Sequence, residues 1–347
     1  MIEWKKYTLE PDNSIRDALN ILDKVGSRIV LVCKKGSELL GTVTDGDIRR
    51  GINNNINLDS PLSEIMNKNP IISKNSITDE EALKVYKDYG VLHIPILDNN
   101  NKIIDIHFLH QKSQKIDNPV FLLAGGFGKR LHPLTFSTPK PLLKVGDKPI
   151  IETILRDLSS HGFKNFYVSL HYKSKQFVDF FDSNPVPNIT ITHLFEETPL
   201  GTAGSLGMLP KEQIQKPLFV MNADILTKVN YIEMLNFHLS NNFDATIGIR
   251  EFEFELPYGE VEVSNNKIKR ISEKPRHKFF INAGIYILNP EIIIDINGKD
   301  YLDMPQLLES SKDKYNIGAF PIHEYWIDIG KMDQFKKAQK DILVEFE

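Results

Sequence analysis

Leu123-Ala124-Gly125-Gly126-Phe127-Gly128-Lys129-Arg130-Leu131 follows directly on Val120-Phe121-Leu122. The apolar run reads as a strand buried on both faces, because no polar residue alternates with it. The three glycines behind it free the backbone to fold around an anion with its N–H groups turned inward. Lys129 and Arg130 add fixed positive charge, and a guanidinium can grip two phosphate oxygens at once. Pro139-Lys140-Pro141 follows, and a proline on each side restricts the backbone that presents the Lys140 ammonium.

The same alternation continues outward from this loop. Strands are predicted at Val120 to Leu123, Phe166 to Leu170, Ile189 to Leu194, Leu218 to Asn222 and Ala245 to Ile249. Helices are predicted at Ile150 to His161, Ser174 to Phe181, Tyr231 to Leu239 and Met332 to Val344. Short apolar strands separated by helices predict a mostly parallel sheet covered on both faces, a Rossmann-like three-layer α/β/α domain over residues 119–347. Ligands on such sheets bind outside the carboxyl ends of the strands. The loop is not a Walker A loop, for it lacks the Gly-Lys-Ser/Thr ending. It also fails the dinucleotide fingerprint, with Leu131 where the last glycine belongs.

Residues 1–115 have a different character. Ile15, Ala18, Leu19 and Leu22 are spaced for a helix from Ile15 to Val25, with Gly26 as a stop signal. Strands follow at Arg28 to Val32 and Leu39 to Thr44. The plan recurs 64 residues on: Ala82 and Leu83 match Ala18 and Leu19, and Gly90 matches Gly26, with strands at Val91 to Leu97 and Lys102 to His107. A twofold repeat predicts two similar α+β units burying their apolar faces against each other. In Gly41-Thr42-Val43-Thr44-Asp45-Gly46-Asp47, Asp45 is read as the cap of a helix from Gly46 to Arg50. Thr44 and Asp47 then either complete that helix start or hold a phosphate and a ribose diol there.

Composition narrows the class. The net charge is −4, with 42 basic against 46 acidic residues, so nucleic acid is not the expected partner. The one cysteine, Cys33, excludes a disulfide within the chain and any Cys-rich metal site. No stretch approaches membrane-spanning length and the first residues lack a signal-peptide core, so a cytoplasmic enzyme without a membrane partner is expected.

Two carboxylates end apolar runs: Asp224 after Leu218-Phe219-Val220-Met221-Asn222-Ala223, and Asp328 in Trp326-Ile327-Asp328-Ile329-Gly330. A buried aspartate needs a cation or hydrogen-bond donors. Taken singly, each also fits a helix cap or a tight turn. Glu273-Lys274-Pro275, taken singly, also fits a surface ion pair.

The run from Leu123 to Thr135 and on through Pro139-Lys140-Pro141-Leu142 resembles the signature of sugar-1-phosphate nucleotidyltransferases, and the resemblance extends over residues 119 to 340. It implies a nucleoside triphosphate and a sugar 1-phosphate as substrates, with Mg²⁺ as cofactor. Arg130 and Lys140 become the catalytic cations and Asp224 and Asp328 the metal ligands. Leu123, Ala124, Gly125, Gly126, Gly128, Lys129, His171 and Asn222 fall to the nucleotide. Glu196, Gly201, Thr202, Glu273, Lys274 and Asn282 fall to the sugar phosphate. Leu170-His171-Tyr172 is similar to the His-Tyr stretch of guanylyltransferases. Residues 1–115 resemble a tandem CBS pair, which implies a regulatory nucleotide at Thr44 and Asp47 and self-association. Phe108 for Thr44 and Gln111 for Asp47 depart from that pattern in the second repeat. The combination resembles the guanylyltransferases that make GDP-glucosamine for legionaminic acid synthesis. Mannose, heptose or glucose 1-phosphate, and dTTP, stay open, as does a catalytically inactive nucleotide sensor acting through the CBS pair.

Overall fold

A computed structural model describes residues 4–25, 29–34, 37–109 and 116–346. The chain divides into two compact units, Met1–Lys112 and Ser113–Glu347.

The N-terminal unit contains β1 (Thr8–Leu9), α1 (Ile15–Val25), β2 (Ile29–Lys34), β3 (Glu38–Thr44), α2 (Asp45–Asn53), α3 (Asp79–Tyr89), β4 (His93–Leu97) and β5 (Ile103–Phe108). Each repeat supplies a helix and an antiparallel hairpin, β2–β3 and β4–β5. Ile29, Leu31 and Cys33 of the first hairpin pack with Leu97, Ile103 and Ile106 of the second in one apolar cluster. The opposite face of β2, Val30 and Val32, packs on Ile15 and Ala18 of α1 and Ile48 of α2. Burial pushes the Cys33 thiol up to about 12, as expected of a small core residue.

Helix ends follow local chemistry. Thr78 and Glu81 form a capping box at the start of α3, and Gly90, at φ +71°, ends it. At α2 the structure corrects the sequence expectation. The helix starts at Asp45 and its cap is Thr44, because Asp47 sits at the third helical position and accepts from both the Thr44 N–H (2.8 Å) and hydroxyl (2.7 Å). The expected stop at Gly26, the strand start at Arg28 and the place of Gln111 lie outside the described residues.

The second unit runs β6 (Val120–Leu123), β7 (Lys144–Val145), β8 (Lys148–Pro149), α4 (Ile150–Ser160), β9 (Asn165–Leu170), α5 (Ser174–Asp182), β10 (Thr190–Phe195), α6 (Gly201–Gly204), β11 (Leu218–Asn222), β12 (Ile225–Thr227) and α7 (Tyr231–Ser240). It continues with β13 (Ala245–Glu255), β14 (Glu260–Ser264), β15 (Lys267–Ser272), β16 (Arg276–Leu288), α8 (Pro290–Ile294), α9 (Met304–Ser311), β17 (Ile317–Pro321), β18 (Trp326–Asp328) and α10 (Met332–Glu345). A seven-stranded sheet has the order β10-β9-β6-β11-β16-β13-β17, and β16 alone runs against the rest. Both faces are covered, which is why its inner strands are apolar without alternation. Val120 and Leu122 of β6 face a core shared with α4, α5, α7 and α10, while Phe121 faces a second core with α8 and α9. The four strands β10, β9, β6 and β11 end level with one another, Leu123 standing opposite both Ser169 and Asn222.

β13 runs to Glu255, well past the predicted Ile249, because Glu251-Phe252-Glu253-Phe254-Glu255 has the period of two that a strand uses. Among the described residues no helix is long and apolar enough to cross a membrane.

Candidate active site

The loop after β6 leaves the sheet at the level of Leu123 and Asn222. Gly128 sits at φ +64°, and a Cβ there would lie 2.9 Å from Thr135 Cγ2, so both backbone and space require glycine. Thr135 is buried and donates its hydroxyl to the Gly128 carbonyl at 2.9 Å, which pins the loop. A Cβ on Gly125 would meet Glu196 Oε1 at 2.8 Å, whereas one on Gly126 would meet nothing within 4 Å. The loop is thus fixed at Gly125 and Gly128 and open at Gly126 between them. Ala124 is buried beneath it, and Lys129 and Arg130 are exposed beyond it.

Lys140 is only 7% exposed, and its ammonium lies between two carboxylates. It forms an ion pair with Asp224 Oδ2 and stands 3.8 Å from Asp328 Oδ1. Two short strands bring the acids together: β12 pairs antiparallel with β18 so that Ile225 faces Asp328, and the Ile329 N–H donates to the Asp224 carbonyl at 3.0 Å. Burial, and next the Asp224 charge, raise the Asp328 carboxyl above its ordinary value, with Lys140 and Arg130 acting against the shift. Asp224 Oδ1 and Asp328 Oδ1 are buried without a hydrogen-bond partner, as is Asn222 Oδ1 two residues before Asp224. Buried acceptors facing a single ammonium suit a hard cation with oxygen ligands, so this donor set fits Mg²⁺.

On the other side of the loop, Glu196 continues β10. Its carboxylate accepts the Ser169 hydroxyl on one oxygen and the Leu200 N–H, at 3.0 Å, on the other. His171 Nδ1 pairs with the Glu196 carbonyl at 2.9 Å. Phe127 packs against His171 and Tyr172, each at 5.5 Å between ring centres. Ser169 and Phe127 are additions to the sequence expectation, which already holds Tyr172 in its His-Tyr stretch. A signal for Ser169 exists in the chain, one hydroxyl inside the apolar run Phe166-Tyr167-Val168-Ser169-Leu170.

Glu196 is expected from the resemblance beside the sugar phosphate. The structure sets it against Gly125, on the opposite side of β6 from β16, because β10 and β9 lie on that side. Gly201 and Thr202 carry the same expectation, and their local contacts are elsewhere. Thr202 N–H and Oγ1 face Asp303 Oδ1 at 3.1 and 3.3 Å, and its hydroxyl accepts from the Met304 N–H at 2.7 Å. A Cβ on Gly201 would lie 2.5 Å from the Leu302 carbonyl. Asn282 donates to the Tyr286 hydroxyl at 2.7 Å and accepts from the Gly284 N–H at 2.8 Å. Glu273 and Lys274 are exposed between β15 and β16, with Lys274 at φ +44°. In the N-terminal unit, Asp47 accepts from Thr44 on one carboxylate oxygen and from Arg50 on the other.

Comparison with known proteins bears on the family of each unit. The family model for nucleotidyl transferases matches residues 120–345, and that for CBS domains matches residues 2–54 and 62–106. The chain is 33% identical over 222 residues to a mannose-1-phosphate guanyltransferase of Yarrowia lipolytica, covering 62% of this chain and 61% of that one. It is 32% identical over 220 residues to mannose-1-phosphate guanylyltransferase 1 of Arabidopsis thaliana, covering 60% of each. The chain thus spans about three fifths of the length of these relatives. Among solved structures, HddC from Yersinia pseudotuberculosis is similar with a TM-score of 0.53 and 28% identity, over 65% of this chain and 99% of that one. HddC complexed with GMP-PN is similar to the same extent, at 27% identity. With the glycine loop, the buried lysine and the two facing aspartates inside the matched span, the chain belongs to the nucleotidyl transferase family and carries a CBS pair ahead of that domain.

Proposed function

We propose that the chain transfers a guanylyl group from GTP to a sugar 1-phosphate, releasing pyrophosphate. The observation that carries this reading is the pair Asp224 and Asp328 around Lys140, with one buried oxygen of each carboxylate lacking a hydrogen bond, at the mouth of a glycine loop. A phosphate oxygen of the sugar 1-phosphate attacks the α-phosphorus. One P–O bond forms there as the bond to the β-phosphate breaks, and pyrophosphate carries away the electron pair. No protein nucleophile is needed, so catalysis is positioning and charge neutralisation. Mg²⁺ held by Asp224 and Asp328 supplies charge neutralisation to the phosphate oxygens. Lys140 and Arg130 provide fixed positive charge beside the same carboxylates. The open backbone at Gly126 leaves room for phosphates against the loop N–H groups.

The base is assigned to the side holding Leu123, Gly125, Ser169, His171 and Glu196. Guanine presents N–H donors along one edge, and the Glu196 carboxylate is an acceptor suited to them. The GMP-PN complex of HddC supports the same base. Lys274 and Asn282 are assigned to the sugar phosphate. Glucosamine 1-phosphate is the first choice of acceptor. Mannose 1-phosphate is the second, favoured by the names of the two relatives. The test is pyrophosphate release with GTP, dTTP, UTP, CTP and ATP against glucosamine, mannose and glucose 1-phosphates. Release confined to GTP with one acceptor supports the reading, and release with dTTP in preference to GTP overturns the base assignment.

A further inference from the structure

The carboxylate of Glu196 is held by groups far apart in the chain. The Ser169 hydroxyl donates to Oε1, and the Leu200 N–H donates to Oε2 at 3.0 Å. Gly125 lies against the same carboxylate, where a Cβ would stand 2.8 Å from Oε1. The backbone at Gly125 is not left-handed, so glycine there serves space and not conformation. The Glu196 carbonyl is anchored in turn by His171 Nδ1 at 2.9 Å.

Ser169 stands out among these groups. It is 1% exposed between the fully buried Val168 and Leu170, a place where a hydroxyl is costly unless it is bonded. Among the described residues its side chain bonds to Glu196 alone. The outer torsion of a glutamate side chain is broad, so one hydrogen bond does not fix the plane of its carboxylate. A donor on each oxygen does. Leu200 alone would leave the group free to turn about Oε2, and Ser169 supplies the second point.

An ionised carboxylate has about four lone-pair sites on its two oxygens. Ser169 and Leu200 take one on each oxygen, which leaves one on each, side by side. Among the described residues no cation forms an ion pair with Glu196 to occupy them. Two adjacent acceptors match a base with two adjacent donors, and the N1–H and 2-amino group of guanine are such a pair. Hypoxanthine keeps the N1–H and lacks the amine. Thymine flanks its one N–H with carbonyl oxygens, and adenine sets a ring acceptor beside its amine.

We propose that Ser169 is a positioning residue for base selection, fixing the plane of the Glu196 carboxylate so that both oxygens meet guanine. The inference rests on the guanylyl reading above and deepens it. Pyrophosphate release by the full chain with GTP, ITP and dTTP, with glucosamine or mannose 1-phosphate as acceptor, tests it in the parent, Ser169→Ala and Ser169→Thr. The readout is the ratio of kcat/KM for GTP to that for ITP, which a merely structural loss leaves unchanged because it lowers both together. The parent is expected to favour GTP by about 10–100-fold, the worth of one hydrogen bond to a charged group. In Ser169→Ala the ratio is expected to fall to within about threefold of unity, and Ser169→Thr, which keeps the hydroxyl, to restore it. Ser169→Cys, of nearly the same shape and with a weak donor, is expected to lose the ratio too and serves if the alanine variant does not fold. A parent ratio retained in Ser169→Ala or Ser169→Cys overturns the proposal and leaves the guanylyl reading standing. A parent that prefers dTTP to GTP overturns both.

Discussion

Two acid–cation clusters sit at strand ends, one in each unit, and they differ in what they leave unsatisfied. At α2, Asp47 uses one oxygen for Thr44 and the other for Arg50, so the cluster closes on itself. At the end of β11, Lys140 faces two carboxylates, and Asp224 Oδ1 and Asp328 Oδ1 stay buried without a hydrogen bond, the latter 3.8 Å from the ammonium. The first arrangement is a finished helix start. The second has buried acceptors in excess of donors, which is costly in a protein alone and resolved by a cation. The same residue types thus make a structural device in one place and a ligand site in the other. Counting partners on each oxygen separates the two, where sequence motifs alone do not.

The largest effect that bears on this difference is expected for Asp224→Ala. Loss of a metal carboxylate should lower turnover by about 10³-fold or more, read by pyrophosphate release. Lys140→Ala comes next, at about 10²–10³-fold, in the range for one transition-state donor. A near-normal turnover would remove Lys140 from the mechanism. Glu196→Gln should lower kcat/KM for GTP by about 10–100-fold, the worth of a hydrogen bond to a charged group, while leaving the maximal rate much closer to the parent's. Asp328→Asn should abolish most activity yet raise the melting temperature without metal, because it removes a buried charge facing Asp224. A lower melting temperature would mean that the pair is stabilising as it stands. The smallest effect is Asp47→Ala, a loss of about 1 kcal/mol of stability in denaturant unfolding, as for other caps. Loss of nucleotide binding by Asp47→Ala at unchanged stability would instead make this cluster a ligand site and break the comparison.

Much of the fold is legible in the amino-acid sequence. Leu218–Asn222 and Ile15–Val25 fall where apolar period and flanking residues put them, since each is bounded by polar or helix-breaking neighbours. The carboxylates of Asp224 and Asp328 are visible as acids ending apolar runs. Their meeting is not, because it depends on β12 pairing with β18 across about 100 residues of chain. The side of the site on which Glu196 stands is hidden for the same reason: local sequence does not say that β10 lies two strands from β6, away from β16. The hydroxyl of Thr202 is likewise claimed by Asp303 and Met304, far along the chain. The extension of β13 beyond Glu251 is illegible too. Its alternation of acid and phenylalanine reads as an ordinary half-buried strand, and only burial shows that neither face is covered.

The most direct test is pyrophosphate release by the full chain and by Asp224→Ala, side by side, with GTP, Mg²⁺ and glucosamine or mannose 1-phosphate. Release by the parent is predicted to depend on Mg²⁺ and to be lost in the variant. Equal release by both, or none by a parent that still binds nucleotide, would contradict a metal-dependent transferase and leave a nucleotide sensor as the better description.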